Sequence, residues 1–451
     1  MVVRTVRTTR RGFIRGAAAL ATTAAGAFAM NGCGRSATDV SAVSLPRITA
    51  KYDGPVVELR FWNGLTGGDG PFMRKLISQF SEQHPNIQIQ MYALPWATFY
   101  QKFPAAVVSG LAPDFGLMQN FQVATNAARQ VIVPLDDLAA EVGLTETDYN
   151  DVVWKSGVFK GRRYSIPLDV WPDSLFFNRT VLESAGLDPD SPPRDADDYL
   201  AALEALHEKG IAGHWLGSVD QSSGRSFDSL LWQNGGTHYT PDGDRALFNS
   251  DEGVAALQWQ VDRIRAGHSP ASVAGGDANV AFKNGQNAFL WGGPGALIND
   301  LNTVKTLDWG VVPLPRIATH AAAFSGSHQL VIMRQRHFDA NRLAAAATFI
   351  RWLSDNSIGW AEAGPVPARL DVQASARFKK LTAQASVAAG IPDIHFYPLV
   401  PGIAEVQTNV LYQAVSQALQ LRSTPAQALD LAAEQANALL AENRLKYEGK
   451  A

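Results

Sequence analysis

Alternating strand and helix character over residues 56–118 predicts an α/β fold, a parallel sheet with helices on its faces. Two further observations agree. The 451 residues are 46% hydrophobic and 18% charged, a balance that supports large cores, and the length allows two or three domains. Self-similarity at a period of about 20–50 residues, the mark of solenoids and propellers, is absent.

The elements follow in order. Val56 to Trp62 is rich in β-branched and aromatic residues and reads as a strand, followed by a loop, Asn63 to Gly70, with four glycines. Met73, Leu76, Ile77 and Phe80 share one face of a helix over 72–84, which Pro85 stops. Ile87, Ile89 and Met91 alternate with Gln88 and Gln90, a second strand. A helix over 97–109 and a strand over 114–118, ending at Gln119-Asn120-Phe121, complete the run. Ligands of such open sheets sit beyond the carboxyl ends of the strands, here 62–69, 94–96 and 119–121. Later, 163–168 reads as a strand broken by Pro167, and 196–209 as a helix with Tyr199, Leu203 and Leu206 inward. Strands are expected over 288–291, 310–314 and 329–333. A final helix has Thr424 as N-cap, Pro425 at its first position, Gln427 closing a capping box, and Leu429, Ala432, Ala436 and Leu439 on one face.

Charge and composition exclude several classes. Residues 1–32 hold five Arg and no acid, so the remainder carries 34 Lys and Arg against 42 Asp and Glu, a net of −8, where the whole chain stands at −3. A mildly acidic body without a Lys/Arg block argues against a nucleic-acid partner. No apolar run reaches 18 residues, so no spanning helix is expected. One Cys permits no intramolecular disulfide.

That Cys lies in an N-terminal address. Thr9-Arg10-Arg11-Gly12-Phe13-Ile14-Arg15 resembles a twin-arginine export signal, and the apolar stretch 17–29 that follows is too short to span a bilayer. Met30-Asn31-Gly32-Cys33 resembles a bacterial lipoprotein processing box, with the small residue before the Cys in place and departures at Met30 and Asn31. The expectation is a signal and lipobox over 1–33 with lipidation at Cys33, then a polar tether over 34–54 holding the body outside the cytoplasmic membrane, on the periplasmic or cell-wall side.

The order of elements behind this address, together with Phe61-Trp62-Asn63-Gly64, Ser109-Gly110-Leu111-Ala112-Pro113-Asp114-Phe115, Gly161-Arg162-Arg163-Tyr164-Ser165-Ile166-Pro167, Ala281-Phe282-Lys283-Asn284-Gly285 and Trp309-Gly310-Val311-Val312-Pro313, resembles the extracellular solute-binding proteins of bacterial ABC importers. The maltose-binding-protein-like branch, for sugars and glycerol phosphates, is the one resembled, over residues 55–445. The resemblance implies a two-lobed periplasmic-binding-protein fold, each lobe a mainly parallel sheet flanked by helices. Lobe 1 would be 55–170 plus 326–356 and lobe 2 would be 171–323 plus 365–451. Three hinge crossings would fall near 169–171, 324–327 and 356–364. Closure on the ligand would be a hinge motion.

A sugar site needs flat aromatics for C–H faces and side chains that donate and accept for hydroxyls. Among eleven Trp, those beside glycine or polar residues are the candidates: Trp96, Trp171, Trp232 and Trp291, the last followed by Gly292. Asn63, Thr66 and Asp69 lie on the first glycine loop, and Gln119 and Asn120 end the third strand. Asp169 and Asp173 bracket the first crossing, where a carboxylate suits two hydroxyls at once. The resemblance adds Arg225 and Asp228 from a second-lobe loop, Ser327 beside the second crossing, and Arg369, whose counterpart approaches phosphate in glycerol-phosphate binders. The conclusion is a binding protein and not an enzyme, a monomer without cofactor or metal. It would deliver a di- or oligosaccharide, amino sugars included, to the membrane subunits of an ABC permease. A glycerophosphodiester or glycerol-phosphate receptor is the alternative. A secreted glycoside hydrolase is the enzyme alternative, since Asp169 and Asp173 are two carboxyls at one cleft. Gly-x-Ser-x-Gly is absent, nine His form no His-Glu-x-x-His, and Gly293-Pro294-Gly295 lacks the third glycine of a dinucleotide fingerprint.

Overall fold

The computed structural model describes residues 45, 46, 48, 51–219 and 223–448; the export signal and Cys33 lie outside them. Fourteen strands occur among the described residues, the first three being β1 (Val57–Asn63), β2 (Ile87–Ala93) and β3 (Phe115–Gln119). Next come β4 (Val158–Phe159), β5 (Arg162–Arg163), β6 (Ile166–Pro167), β7 (Asp169–Pro172) and β8 (Ser174–Asn178). Then follow β9 (Phe289–Gly292), β10 (Trp309–Pro313), β11 (Ala323–Gly326), β12 (His328–Ile332), β13 (Val366–Pro367) and β14 (Ile394–His395).

The first sheet has the order β2-β1-β3-β12-β6. Its first three strands are parallel, as the alternation requires, and β12 and β6 extend it through antiparallel pairs. Leu59 and Phe61 of β1 point into the core, where Phe61 stacks on Phe115 of β3 at 4.6 Å. The helix Gly70–Gln83 buries Met73, Leu76, Ile77 and Phe80 against the same core, the four positions its periodicity assigns.

A second sheet, β10-β8-β9, differs from expectation. It was expected to be mainly parallel, yet both of its pairings are antiparallel. Chain direction explains this: β8 leaves the crossing strand β7 after one residue, while β10 leads back to the crossing strand β11, so the two must run in opposite senses. Its faces alternate, with Leu175 and Phe177 packed on one side and Phe176 on the other.

A third sheet, β13-β7-β11-β14, joins the other two. β7 and β11 pair antiparallel, Gly326 opposite Trp171. One residue beyond each crossing strand, the chain enters a lobe sheet: Asp173 before β8 and Ser327 before β12. Chain segments 163–168 do not form the single strand expected. Arg163 pairs with Val158 in a small hairpin, the strand is interrupted at 164–165 and not at Pro167, and Ile166–Pro167 joins β12 with Pro167 opposite Gln329. Residues 277–283 ahead of β9 are helical.

The last helix, Pro425–Glu448, opens on the expected capping box. Thr424 N–H donates to Gln427 Oε1, and Gln427 N–H to Thr424 Oγ, each at 3.3 Å. Leu429, Ala432 and Ala436 are buried, but Leu440 is inward and Leu439 only half-buried. At roughly 100° per residue, position 440 returns to within about 20° of Leu429, whereas 439 falls about 80° short. Thr424→Ala is expected to lower the stability of the protein by about 1 kcal/mol, read as a fall in the urea midpoint at constant slope.

Candidate ligand cleft

The crossing strands place Trp171 at the centre. Its ring lies over Gly326, where an added Cβ would meet the indole at 2.0 Å, and a Cβ on Gly293 would come within 3.2 Å. Gly326 is therefore required by space rather than by backbone conformation, and Gly293 packs tightly on the same ring. Trp171 neighbours His328 at 6.0 Å and Phe324 at 6.0 Å, and the Arg225 guanidinium sits 5.2 Å from the Trp171 and Phe324 rings alike. From lobe 1, Trp96 stacks on His328 at 5.7 Å and on Tyr100 at 5.7 Å. Gly64 makes room for it, since a Cβ there would lie 1.9 Å from the Trp96 ring. Tyr100 donates to Gln119 Oε1 at 3.2 Å and accepts the Gln119 N–H at 3.0 Å, fixing the end of β3 beside His328.

Asp169 sets this group in place. Its Oδ1 accepts the His328 backbone N–H at 2.7 Å; its Oδ2 lies 2.7 Å from His328 Nδ1 and accepts the Trp360 indole N–H at 2.7 Å. The carboxylate is fully buried and fully occupied. It orients His328 and Trp360 instead of taking two hydroxyls, which corrects the role expected of it. Burial alone would lower the His328 pKa, but the adjoining Asp169 carboxylate outweighs it and the net shift is upward.

Two other carboxyls each keep one oxygen unpaired among the described residues. Asp173, 4% exposed, has an Oδ1 with no hydrogen-bond partner among the described residues, and so has the half-buried Asp69. Burial raises Asp69 above its usual range. It also pushes Asp173 up to about 7, with Arg225 pulling the other way and Asp228 adding to the rise. Asp173 therefore stabilises the folded state fully below about pH 4, and that contribution is lost as pH rises through about 7. Asp173→Asn is expected to gain thermal stability relative to the parent as pH goes from 5 to 8 without ligand. A difference flat in pH would refute the buried, unpaired carboxyl.

Segments distant in sequence meet at one side of this cluster. Asn299 Nδ2 donates to the Gly68 carbonyl at 3.3 Å. A Cβ on Gly67 would touch Ala296 at 3.8 Å, and one on Gly364, whose φ is +129°, would lie 1.7 Å from the Gly295 carbonyl. Small residues thus allow the helix Gly295–Asn302 to approach the first glycine loop.

The structure brings together Asp69, Trp96, Gln119, Asp169, Trp171, Asp173 and Arg225, with Gly292 at the end of β9 beside Gly293. Asn63 is buried near them, its Oδ1 accepting the Leu65 N–H at 3.1 Å. Other expected residues have different positions. Thr66 is exposed on the loop. Asn120 and Ser327 are tied to each other, with Asn120 Oδ1 accepting the Ser327 N–H at 3.1 Å, and Ser327 Oγ donates to the Asp169 carbonyl at 2.6 Å. Asp228 lies inside lobe 2 with His238 at 2.6 Å, Tyr412 at 2.6 Å and Tyr397. Trp232 stacks on His395 at 5.0 Å, and Trp291 on Trp259 at 5.6 Å. Arg369 is held by Asp371 at 2.7 Å, with Asp355 at 3.5 Å. Tyr100, His328, Trp360, Gly293 and Gly326 were not among the expected site residues. Tyr100 had a signal, one helical turn after Trp96; Trp360 had none, since only the tertiary fold carries it to Asp169.

A family model for the bacterial extracellular solute-binding proteins matches residues 63–358, well over half of the chain. The chain belongs to this family. It is therefore a solute-binding protein of an ABC importer, a binding component and not a catalyst. This solute-binding protein is 25% identical over 413 residues to the sn-glycerol-3-phosphate-binding periplasmic protein UgpB of Escherichia coli O6:K15:H31 (strain 536 / UPEC), covering 85% of this chain and 93% of that one. It is similar in structure to the cyclic alpha-maltosyl-1,6-maltose binding protein of Arthrobacter globiformis, with TM-score 0.72 and 25% identity over 86% of this chain and 99% of that one. It also resembles UgpB from Mycobacterium tuberculosis, with TM-score 0.75 and 20% identity over 86% and 99%.

Proposed function

We propose that this protein captures a neutral di- or oligosaccharide in the cleft around Trp171 and delivers it to an ABC permease. The observation that carries this reading is a pair of carboxyls, Asp69 and Asp173, each with one oxygen unpaired among the described residues, beside the aromatic rings of Trp96 and Trp171. Carboxylates accept hydroxyl hydrogens and rings take sugar C–H faces, whereas an anion at the same place would face three carboxyls against Arg225 and the Asp169-bound His328. Arg369, the cation a phosphate site was expected to use, is neutralised by its own acids. The sugar ligand named for the Arthrobacter globiformis protein supports this reading.

A glycerophosphodiester receptor is the second reading. With glycerol phosphate included, as in the alternative drawn from sequence, this reading is favoured by the sn-glycerol-3-phosphate named for Escherichia coli UgpB, by the glycerophosphocholine named for Mycobacterium tuberculosis UgpB, and by Arg225 on the cleft wall. Thermal unfolding against neutral disaccharides, amino sugars and glycerophosphodiesters separates the two. A ligand at a hundredfold excess over its Kd adds about 2.7 kcal/mol of stability. Stabilisation by glycerophosphocholine and by no sugar would overturn the saccharide reading. For a sugar whose hydroxyls bind ionised Asp173, affinity is expected to rise from pH 6 to pH 8 with release of a proton, measured by calorimetry in buffers of different ionisation enthalpy.

The crossings near 169–171, 324–327 and 356–364 are proposed as the hinge between lobe 1 (55–170 plus 326–356) and lobe 2 (171–323 plus 365–451), supported by the pairing of β7 with β11 and β13. The sequence supports twin-arginine export through Arg10-Arg11 and lipid anchoring through Cys33. Cys33→Ser is expected to move the protein from the membrane fraction to the soluble fraction; retention on the membrane would refute the anchor.

A further inference from the structure

We infer that Leu45, Ile48 and Tyr52 form a strap that docks the end of the tether on lobe 1, so that lobe 1 is held at the membrane and lobe 2 is the lobe that swings. This inference rests on the lipid anchor at Cys33 proposed above. The chain ahead of β1 was expected to be a polar tether as far as residue 54. Instead Ile48 and Tyr52, each 5% exposed, lie in the core that also holds Leu59 and Phe61 of β1, and Leu45 packs against it.

The surface that receives the strap is the helix Ala340–Asp355. Eight consecutive residues of it, Leu343 to Ile350, are buried. At about 100° per residue they point in every direction around the axis, whereas a helix lying on a surface leaves one face to solvent. Phe349 turns toward the sheet, edge-on to Phe61 of β1 at 6.3 Å. Thr348 meets the strap. The Tyr52 backbone N–H donates to Thr348 Oγ1 at 2.9 Å, and that hydroxyl donates to the Ala344 carbonyl one turn back at 2.9 Å. The far end is pinned as well. The Tyr52 hydroxyl donates to the Pro55 carbonyl at 2.6 Å, and Asn86 Nδ2 donates to the Gly54 carbonyl at 3.1 Å. Gly54 leaves room for the ring, since a Cβ there would lie 2.8 Å from it.

Docking changes what an anchor can do. Fourteen residues, 34–47, separate Cys33 from Ile48, against 23 between Cys33 and β1. At no more than ~3.6 Å per residue the shorter span reaches about 50 Å and the longer about 80 Å. Effective concentration at the membrane falls roughly as the −3/2 power of span length, so the strap raises it about twofold. The point of attachment becomes one place on lobe 1, and hinge closure moves lobe 2 relative to the anchor.

Two measurements test this. Trypsin should cut after Lys51 about 100-fold more slowly in the folded protein than in a peptide of residues 45–57, because cleavage follows local opening. Tyr52→Ala should speed that cut about tenfold, and Thr348→Val, which removes the acceptor and keeps the shape, several-fold. A cut as fast as in the peptide, or a rate unchanged in both variants, would overturn the docked strap. The second measurement is energy transfer on phosphatidylcholine–phosphatidylglycerol vesicles carrying an acceptor-labelled lipid. The full lipid-bearing chain takes the donor dye at Lys102→Cys, an exposed position and the one free thiol once Cys33 carries lipid. A Gly/Ser insertion of about 20 residues after Gly54 should leave the transfer unchanged, and should lower it when combined with Tyr52→Ala. An equal loss with and without Tyr52→Ala, or no loss in either, would overturn the strap as the point of attachment. If the parent chain does not stay on the vesicles, the anchor reading fails and this inference fails with it, while the saccharide reading stands.

Discussion

Trp171→Ala is expected to weaken ligand binding about 30-fold or more, a loss of at least about 2 kcal/mol, as for a buried aromatic at the centre of an interface. The reason is geometric. The indole rests on Gly326 of β11 and under Gly293 after β9, so it touches two segments that are distant in sequence and line the cleft. Removing it deletes the stacking surface and one of the two rings against which Arg225 lies. Trp171→Phe should fall between the two, since a smaller ring keeps a face but not the Nε1 that lies buried without a partner among the described residues. Calorimetric Kd values for the three proteins, with circular dichroism confirming the fold, decide the matter. A change within threefold for the alanine variant would remove Trp171 from the binding surface.

Asp169→Ala is expected to destabilise the protein by about 3–5 kcal/mol, the range for removing one partner of a buried ion pair. The substitution leaves three groups without their acceptor: the His328 backbone N–H, the His328 ring and the Trp360 indole. The effect also depends on pH with a definite sign. His328 is held above its ordinary range in the folded state, so its share of the stability is fully present below about pH 6.5 and is lost as pH rises through the folded value. The stability gap between parent and Asp169→Asn should therefore be widest near pH 5.5 and narrow toward pH 8. It should not close, because the Trp360 and backbone bonds carry no titration. Urea melts at the two pH values measure both the size and the slope. A gap that widens with pH would mean that His328 is neutral beside Asp169.

Such a buried pair next to a ligand cleft has a functional consequence. Asp169 sits at the first proposed crossing, His328 just after the second, and Trp360 within the third, so one carboxylate ties all three segments together. Ligand affinity in a hinged receptor depends on the population of the closed state. A carboxylate that fixes the crossing strands keeps the two lobe surfaces aligned when they meet.

Local sequence determined the strand–helix order over residues 57–119 and the capping box at Thr424. Each depends on neighbours a few residues apart: alternation in β1 and β2, helical spacing from Met73 to Phe80, the Thr424–Gln427 pair. Only the tertiary structure decided which carboxyl does what. Asp169 and Asp173 are four residues apart and look alike in sequence, yet one is consumed by His328 and Trp360, brought from 159 and 191 residues away, and the other keeps an oxygen without a partner among the described residues. Arg369 likewise reads as a ligand cation until the fold delivers Asp355 and Asp148 to it. The antiparallel second sheet follows the same logic, since strand direction is set by where the chain must return and not by the residues in the strand. The charge and the hydrogen-bonding capacity of each group are written locally; whether a ligand receives them depends on what distant segments have already claimed.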